Sequence, residues 1–220
     1  MAIKENLLQI KSQLPNHVTL VAVSKTKPVA DLMEAYNAGQ RVFGENYVQE
    51  LVEKHEALPK DIQWHFIGHL QSRKVKLIAP FVNLIHGVDS LKLLHEINKE
   101  AQKNNRVIDC LLQIFIAEEE SKFGLDEKEL TEILSSEEFK NLKNIRIIGL
   151  MGMATFTENK DQIKKEFQNL KTIFDKVSKQ KTENCQLNTI SMGMSGDYQI
   201  AIECGSTMVR IGSSIFGIRQ

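Results

Sequence analysis

Short apolar segments rich in β-branched residues alternate along the chain with longer charged segments of helical spacing. Most of the apolar segments are continuous rather than interrupted at every second position, which is typical of parallel strands covered by helices. The predicted strands span residues 18–23, 41–43, 63–67, 84–88, 107–116, 145–150, 187–190 and 208–211. Helical patterns follow at 29–38, 47–57, 72–79, 91–104, 127–135, 160–179 and 198–204.

The alternation gives about eight β–α units, which is the count of a TIM-type barrel. A doubly wound open sheet would show a similar alternation and is the competing interpretation. No linker, repeat or low-complexity tract interrupts the pattern. We therefore expect an α/β fold, a (β/α)8 barrel, as a single domain over residues 1–220.

Composition excludes several classes of partner. Lys+Arg and Asp+Glu are both 28, so the chain has no net charge to favour nucleic acid or an anionic membrane. The amphipathic N-terminus does not resemble a signal peptide, and no apolar run approaches the ~20 residues that span a bilayer. Three widely spaced cysteines favour neither disulfides nor zinc, and they suit a reducing cytoplasm. His65 and His69 straddle a strand end, so we expect no metal site.

In either architecture, ligands bind beyond the carboxyl ends of the strands. Lys25 follows the first apolar strand at this point. Apolar surroundings disfavour a charged lysine and lower its pKa, and the neutral amine can form a Schiff base with an aldehyde. A surface lysine that ends a strand is the alternative, and Lys27 is the neighbouring competitor.

Two clusters of small residues follow the last two predicted strands. The first contains Ser191, Gly193, Ser195 and Gly196, and the second contains Gly212, Ser213 and Ser214. Backbone amides at glycine-rich turns and helix starts bind phosphate, and barrels often build such a site after strands seven and eight. Two unrelated turns remain the simpler alternative.

Arg210 falls within the last predicted strand, two residues before Gly212. If its side chain points into the barrel, the buried guanidinium needs an acceptor. A pyridine nitrogen is one such acceptor, and a charged arginine facing it would keep that nitrogen unprotonated. A salt bridge to an acidic neighbour such as Glu203 is the alternative.

Taken together, the sequence resembles the YggS/PROSC family of pyridoxal 5′-phosphate (PLP) homeostasis proteins from about residue 21 to residue 217. The matching motifs, in order, are VAVSKTKP, FGENYVQE, WHFIGHLQSRKVK, IHGVDS, IAEEESKFG, GLMGMA, SMGMSGDY and STMVRIGSSIFG. The chain departs from the usual family residues at Arg73, Gly87, Phe115 and Gly196.

The resemblance implies a fold-type III PLP barrel, similar to the N-terminal domain of alanine racemase. It implies that Lys25 holds the cofactor as an internal aldimine, that Asn46 lies against the ring, and that Arg210 faces the ring nitrogen. It also implies that the phosphate is surrounded by Ser191, Met192, Ser195, Gly212 and Ser213.

The function expected from this resemblance is buffering and delivery of PLP, with PLP-dependent apo-enzymes as recipients. A PLP-dependent amino-acid racemase is the alternative, although racemisation needs a second acid/base group opposite the lysine. The chain contains only Tyr36, Tyr47 and Tyr198 for that role. A third possibility is a regulatory protein in which PLP shapes a binding surface. Since a closed barrel has no free sheet edge, we expect a monomer.

Overall fold

Eight parallel strands form a closed barrel in the computed structural model, which describes residues 2–118 and 123–217. The strands are β1 Thr19–Val23, β2 Val42–Glu45, β3 Gln63–Phe66, β4 Leu84–Val88, β5 Ile108–Gln113, β6 Ile145–Met151, β7 Cys185–Met194 and β8 Met208–Ile211. Strands β1 and β8 close the barrel, with Thr19 opposite Met208 and Ala22 opposite Ile211. This closure confirms the predicted barrel and excludes an open sheet.

Helices surround the barrel. They are α1 Ile3–Gln13, α2 Val29–Asn37, α3 Val48–Ala57, α4 Val75–Ile78, α5 Leu91–Lys103, α6 Glu127–Ser135, α7 Glu137–Lys140, α8 Lys160–Val177, α9 Tyr198–Glu203 and α10 Ser213–Phe216. Helix α6 begins with a capping box in which Asp126 and Glu129 each accept from the other's backbone N–H. None of the described helices combines the length and apolar character needed to cross a bilayer.

The apolar residues pack in two regions. The larger core lies between the strands and the helices and includes Phe43, Trp64 and Phe167, all almost fully buried. A smaller, separate cluster of Val21, Leu84, Leu111, Met151 and Met208 lies inside the barrel. Buried polar side chains also lie on the strands, among them His65, His86, Ser191 and Arg210.

The structure differs from the sequence-based prediction most clearly at β7. This strand continues to Met194, whereas the prediction ended it at residue 190, so Ser191 and Met192 lie within a strand and not in the loop after it. The pairing of β7 with β8 shifts between Ser191 and Met194, which marks a bulge. Strand β5 is shorter than predicted and ends at Gln113. Residues 119–122 of the IAEEESKFG motif lie outside the described residues.

Candidate functional site

A cavity of about 570 Å³ opens at the carboxyl ends of the strands. It brings together six of the eight residues predicted for the site: Lys25, Asn46, Ser195, Arg210, Gly212 and Ser213. These residues come from opposite ends of the chain and meet because β1 and β8 are neighbours in the closed barrel. The volume is within the range of small-molecule sites, roughly 300–1,000 Å³.

Lys25 lies in the loop that begins immediately after β1. The strand ends at Val23, Ser24 is fully buried, and the half-buried Lys25 lines the cavity. The next residue, Thr26, has φ of 63°, a left-handed conformation that β-branched residues rarely adopt. The chain therefore turns sharply at this lysine, and the backbone on its far side is strained.

The wall formed by the end of β8 and the start of α10 is rich in backbone amides. The N–H groups of Gly212 and Ser214 point toward the Ser195 hydroxyl oxygen, at 3.3 and 3.4 Å. A Cβ added at Gly212 would lie only 3.1 Å from the carbonyl oxygen of Val23. This position therefore favours glycine because the two strands approach closely.

Arg210 reaches the cavity from the barrel interior, where it is almost completely buried. Its Nη1 donates to the Ser191 hydroxyl at 2.5 Å and its Nη2 donates to the carbonyl oxygen of Gly152 at 3.2 Å. The guanidinium thus finds acceptors other than Glu203. Burial lowers the pKa of Arg210 to about 10 while the Asp197 charge opposes that shift, so the side chain stays charged at neutral pH.

Two buried histidines extend this hydrogen-bonded chain. His86 Nδ1 lies 2.9 Å from the Ser191 hydroxyl, and His86 Nε2 lies 3.0 Å from His65 Nδ1. Because Arg210 can only donate, the Ser191 oxygen accepts from it. The tautomer of His86 sets the direction of its hydrogen bonds to Ser191 and His65.

Both histidines are neutral at physiological pH. Burial lowers the pKa of His65 to about 3. Burial also lowers the pKa of His86 well below its ordinary value, and the nearby His65 and Arg210 charges act in the same direction. Arg210 is therefore the charged member of this network.

Asn46 brings an unpaired acceptor to the cavity. Its side-chain Oδ1 is buried and has no hydrogen-bond partner among the described residues. A buried amide oxygen without a donor is costly, and such groups in native structures call for an explanation. Because Asn46 lines the cavity, this buried oxygen is a candidate acceptor for a ligand's donor.

Ser191 and Met192 do not line the cavity. Ser191 is fully buried beneath it, in contact with Arg210 and His86. The Met192 side chain packs in the outer core, and its carbonyl oxygen accepts from the Ser206 hydroxyl at 2.7 Å. Because β7 extends further than predicted, Met194 reaches the cavity wall from that strand.

Sequence reasoning missed a buried ionic cluster behind Lys25. Lys54 Nζ donates to Glu45 at 2.8 Å, to Glu50 at 2.6 Å and to the carbonyl oxygen of Ser24 at 2.7 Å. Burial raises the pKa of the Glu45 carboxyl, although the Lys54 charge opposes that shift. The four-residue spacing of Glu50 and Lys54 was a visible signal, but it is also typical of exposed helix pairs.

A second buried carboxylate, Glu166 on α8, was also missed. It accepts from the backbone N–H of Thr155 at 2.6 Å, from the Thr155 hydroxyl at 2.7 Å and from the N–H of Glu118 at 3.2 Å. It therefore ties the loop after β6 to the loop after β5. Residues 153–157 of the first loop line the cavity, so Glu166 fixes one of its walls.

Comparisons with known proteins identify close relatives over the whole chain. The alanine racemase N-terminal domain family matches residues 1–220. The chain is 38% identical over 233 residues to the pyridoxal phosphate homeostasis protein of Pasteurella multocida (strain Pm70), covering 100% of this chain and 99% of that relative.

Solved structures are also similar to this chain. PipY of Synechococcus elongatus PCC7942, with PLP bound, is 35% identical with a TM-score of 0.88, covering 98% of this chain and 100% of PipY. An alanine racemase of Clostridium difficile 630 has a TM-score of 0.79 but only 17% identity, which shows the fold alone. This chain spans 56% of that racemase.

Proposed function

The chain belongs to the alanine racemase N-terminal domain family, and we propose that it is a PLP homeostasis protein that holds the cofactor covalently on Lys25. The observation that supports this most is that Lys25, Arg210 and the amides beside Ser195 converge on one cavity. A lysine amine, a cationic donor and a set of backbone amides match the aldehyde, the pyridine ring and the phosphate of PLP.

The residues present fit this cofactor. Asn46 offers an unpaired buried oxygen. The N–H groups of Gly212 and Ser214 and the Ser195 hydroxyl supply neutral phosphate donors. The cofactor supplies an aldehyde, which forms a C=N bond with a primary amine and releases water.

Each protein group has a defined task. Lys25 supplies the amine from the loop that begins immediately after β1. Arg210 presents a charged guanidinium, which would disfavour a proton on a ring nitrogen bound beside it and so would weaken the electron sink that the cofactor supplies. Ser191 and His86 hold that guanidinium in place from below. Such a site favours retention of the cofactor over strong activation of a bound amino acid.

The composition of the cavity favours a carrier over a racemase. Racemisation requires a second acid/base group on the opposite face of the substrate. In the described part of the chain no tyrosine lines the cavity, and the hydroxyls of Tyr36 and Tyr198 are hydrogen-bonded to Asp61 and Gln13. Lys27 does line the cavity, and its Nζ donates to the carbonyl oxygen of Phe216.

We propose delivery of PLP to apo-enzymes as the physiological role. Direct transfer would bring a recipient's lysine to the cofactor through the mouth of the cavity. The protein would act as a monomer, because the closed barrel presents no unpaired strand edge. The three cysteines are unpaired thiols, which is compatible with a reducing cytoplasm.

Reductive trapping tests the cofactor assignment. Purified protein would be incubated with PLP, treated with borohydride and digested, and the modified lysine would be located by mass spectrometry. We expect the cofactor on Lys25 and none at that position in Lys25→Ala. Lys128→Ala, which removes an exposed amine on α6, is the matched control and should label as the wild type does. Labelling that leaves Lys25 unmodified would contradict the proposal.

A second measurement separates a carrier from an enzyme. The PLP-loaded protein would be offered to an apo-enzyme that requires PLP, and separately to single enantiomers of amino acids. We expect recovery of the recipient's activity and no sustained racemisation. Turnover of an enantiomer that disappears in Lys25→Ala would favour the racemase alternative.

A further inference from the structure

The backbone beside Lys25 is held in a conformation that it would not adopt by itself. Thr26 has φ of 63°, and the crowding of its branched side chain makes this region unfavourable. Strain of this kind persists only where surrounding groups enforce it, and it is concentrated at functional sites.

The buried ionic cluster holds the chain on both sides of Lys25. On the preceding side, Lys54 donates to the carbonyl oxygen of Ser24 at 2.7 Å. On the following side, the Glu50 carboxylate accepts from the N–H of Thr26 at 2.6 Å. Lys25 is thus flanked by two peptide groups that are both fixed by side chains of α3.

Lys54 is the centre of this cluster. It is almost fully buried, and besides the Ser24 carbonyl it bonds Glu45 and Glu50. The Ser24 hydroxyl also donates to Glu45, at 2.5 Å. Without the lysine, two carboxylates would face each other in a site of low polarity and the Ser24 carbonyl would lose its donor.

We propose that Lys54, together with Glu45 and Glu50, is a positioning residue that fixes the turn after β1 so that the Lys25 amine faces the cavity. Lys54 does not line the cavity and acts through Ser24 and Thr26. The inference rests on the proposed function, because it assigns these residues a role in the attachment of PLP to Lys25.

The test must separate positioning from general stability. Lys54→Met removes the charge and keeps the side-chain length, and Ile97→Ala opens a gap in the outer core at α5, away from the cavity. PLP affinity and the rate of Lys25 labelling would be measured beside thermal unfolding for both variants. We expect at least a tenfold loss of affinity in Lys54→Met and less than a twofold change in Ile97→Ala.

A rescue experiment addresses the strain itself. Glycine adopts φ of +63° without penalty, so Thr26→Gly should make the productive turn accessible without the cluster. We expect Lys54→Met/Thr26→Gly to label Lys25 faster than Lys54→Met alone. A labelling rate that does not rise in the double variant would count against the positioning role.

Two further outcomes are decisive. If Lys54→Met does not fold, Glu50→Gln replaces it as the test variant, because Glu50 is only partly buried and its carboxylate bonds Thr26 directly. Wild-type affinity in whichever variant folds would overturn the inference. Wild-type protein that takes up no PLP would instead overturn the proposed function, so the two failures are distinguishable.

Discussion

Val21 of β1 lies directly opposite Arg210 of β8 in the register that closes the barrel. Four residues after Val21 the chain reaches Lys25, and two residues after Arg210 it reaches Gly212. This single pairing therefore brings the lysine, the guanidinium and the amide-rich wall to one side of the cavity mouth. The polar network beneath Arg210 then determines how firmly that side is held.

Ser191→Ala tests the network beneath Arg210. The substitution leaves the guanidinium Nη1 and His86 Nδ1 without their shared partner in a buried site. An unsatisfied buried polar group costs about 1–3 kcal/mol, so we expect a loss of that size in the free energy of unfolding. Urea denaturation measures it, with the exposed Ser135→Ala as control. Equal stability of the two variants would show that the network contributes nothing.

The buried histidines predict how stability depends on pH. Because the pKa of His65 is lowered to about 3 and that of His86 is also lowered, the unfolded chain takes up protons near pH 6.5 while the folded protein does not. Both histidines therefore make their full contribution to the free energy of unfolding above this pH, and that contribution is lost as the pH falls. From pH 7.5 to 5.5 we expect the free energy of unfolding to fall by about 1 kcal/mol for each histidine.

Urea denaturation at several pH values between 7.5 and 5.5 measures this slope. The raised pKa of Glu45 has the opposite effect on the free energy of unfolding. The folded state binds the Glu45 proton more tightly than the unfolded state does, so this group adds stability as the pH falls. His86→Gln should remove about half of the histidine contribution. A stability that stays constant over this range would contradict the assignment of two neutral buried histidines.

The sequence predicted the order of the strands and the position of Lys25 well, because continuous apolar segments and the rule for ligand-binding ends are both local signals. It failed at β7, where small residues such as Ser191 and Gly193 look like a loop but continue a bulged strand. The sequence also could not identify Lys54 and Glu166 as buried residues, because charged residues with helical spacing are usually exposed. Their burial is decided by tertiary packing.

Ser195→Ala tests the amide-rich wall. Loss of the hydroxyl removes one donor and the group toward which the Gly212 and Ser214 amides point. We expect about tenfold weaker binding of PLP, the equivalent of ~1.4 kcal/mol, but unchanged binding of pyridoxal, which has no phosphate. Titration of both ligands followed by absorbance gives the comparison. An equal loss for the two ligands would place Ser195 away from the phosphate.

Glu166→Gln tests the wall formed by the loop after β6. Glutamine keeps the shape of the side chain but has one acceptor oxygen, so its NH2 group would face either the N–H of Thr155, which Oε2 accepts, or the N–H of Glu118, which Oε1 accepts. We expect faster amide hydrogen exchange at Thr155 and a several-fold faster release of unreduced PLP. Exchange followed by mass spectrometry and transfer to an excess of apo-enzyme measure the two effects.

Glu158→Gln is the matched control, because it changes an exposed carboxylate in the same loop. It should leave both amide exchange and PLP release as in the wild type. If Glu166→Gln loosens the loop without changing release, this wall does not retain the cofactor, and retention then depends on Lys25 and the amide-rich wall. If release accelerates with the exchange rate, the loop after β6 controls how readily the carrier gives up PLP.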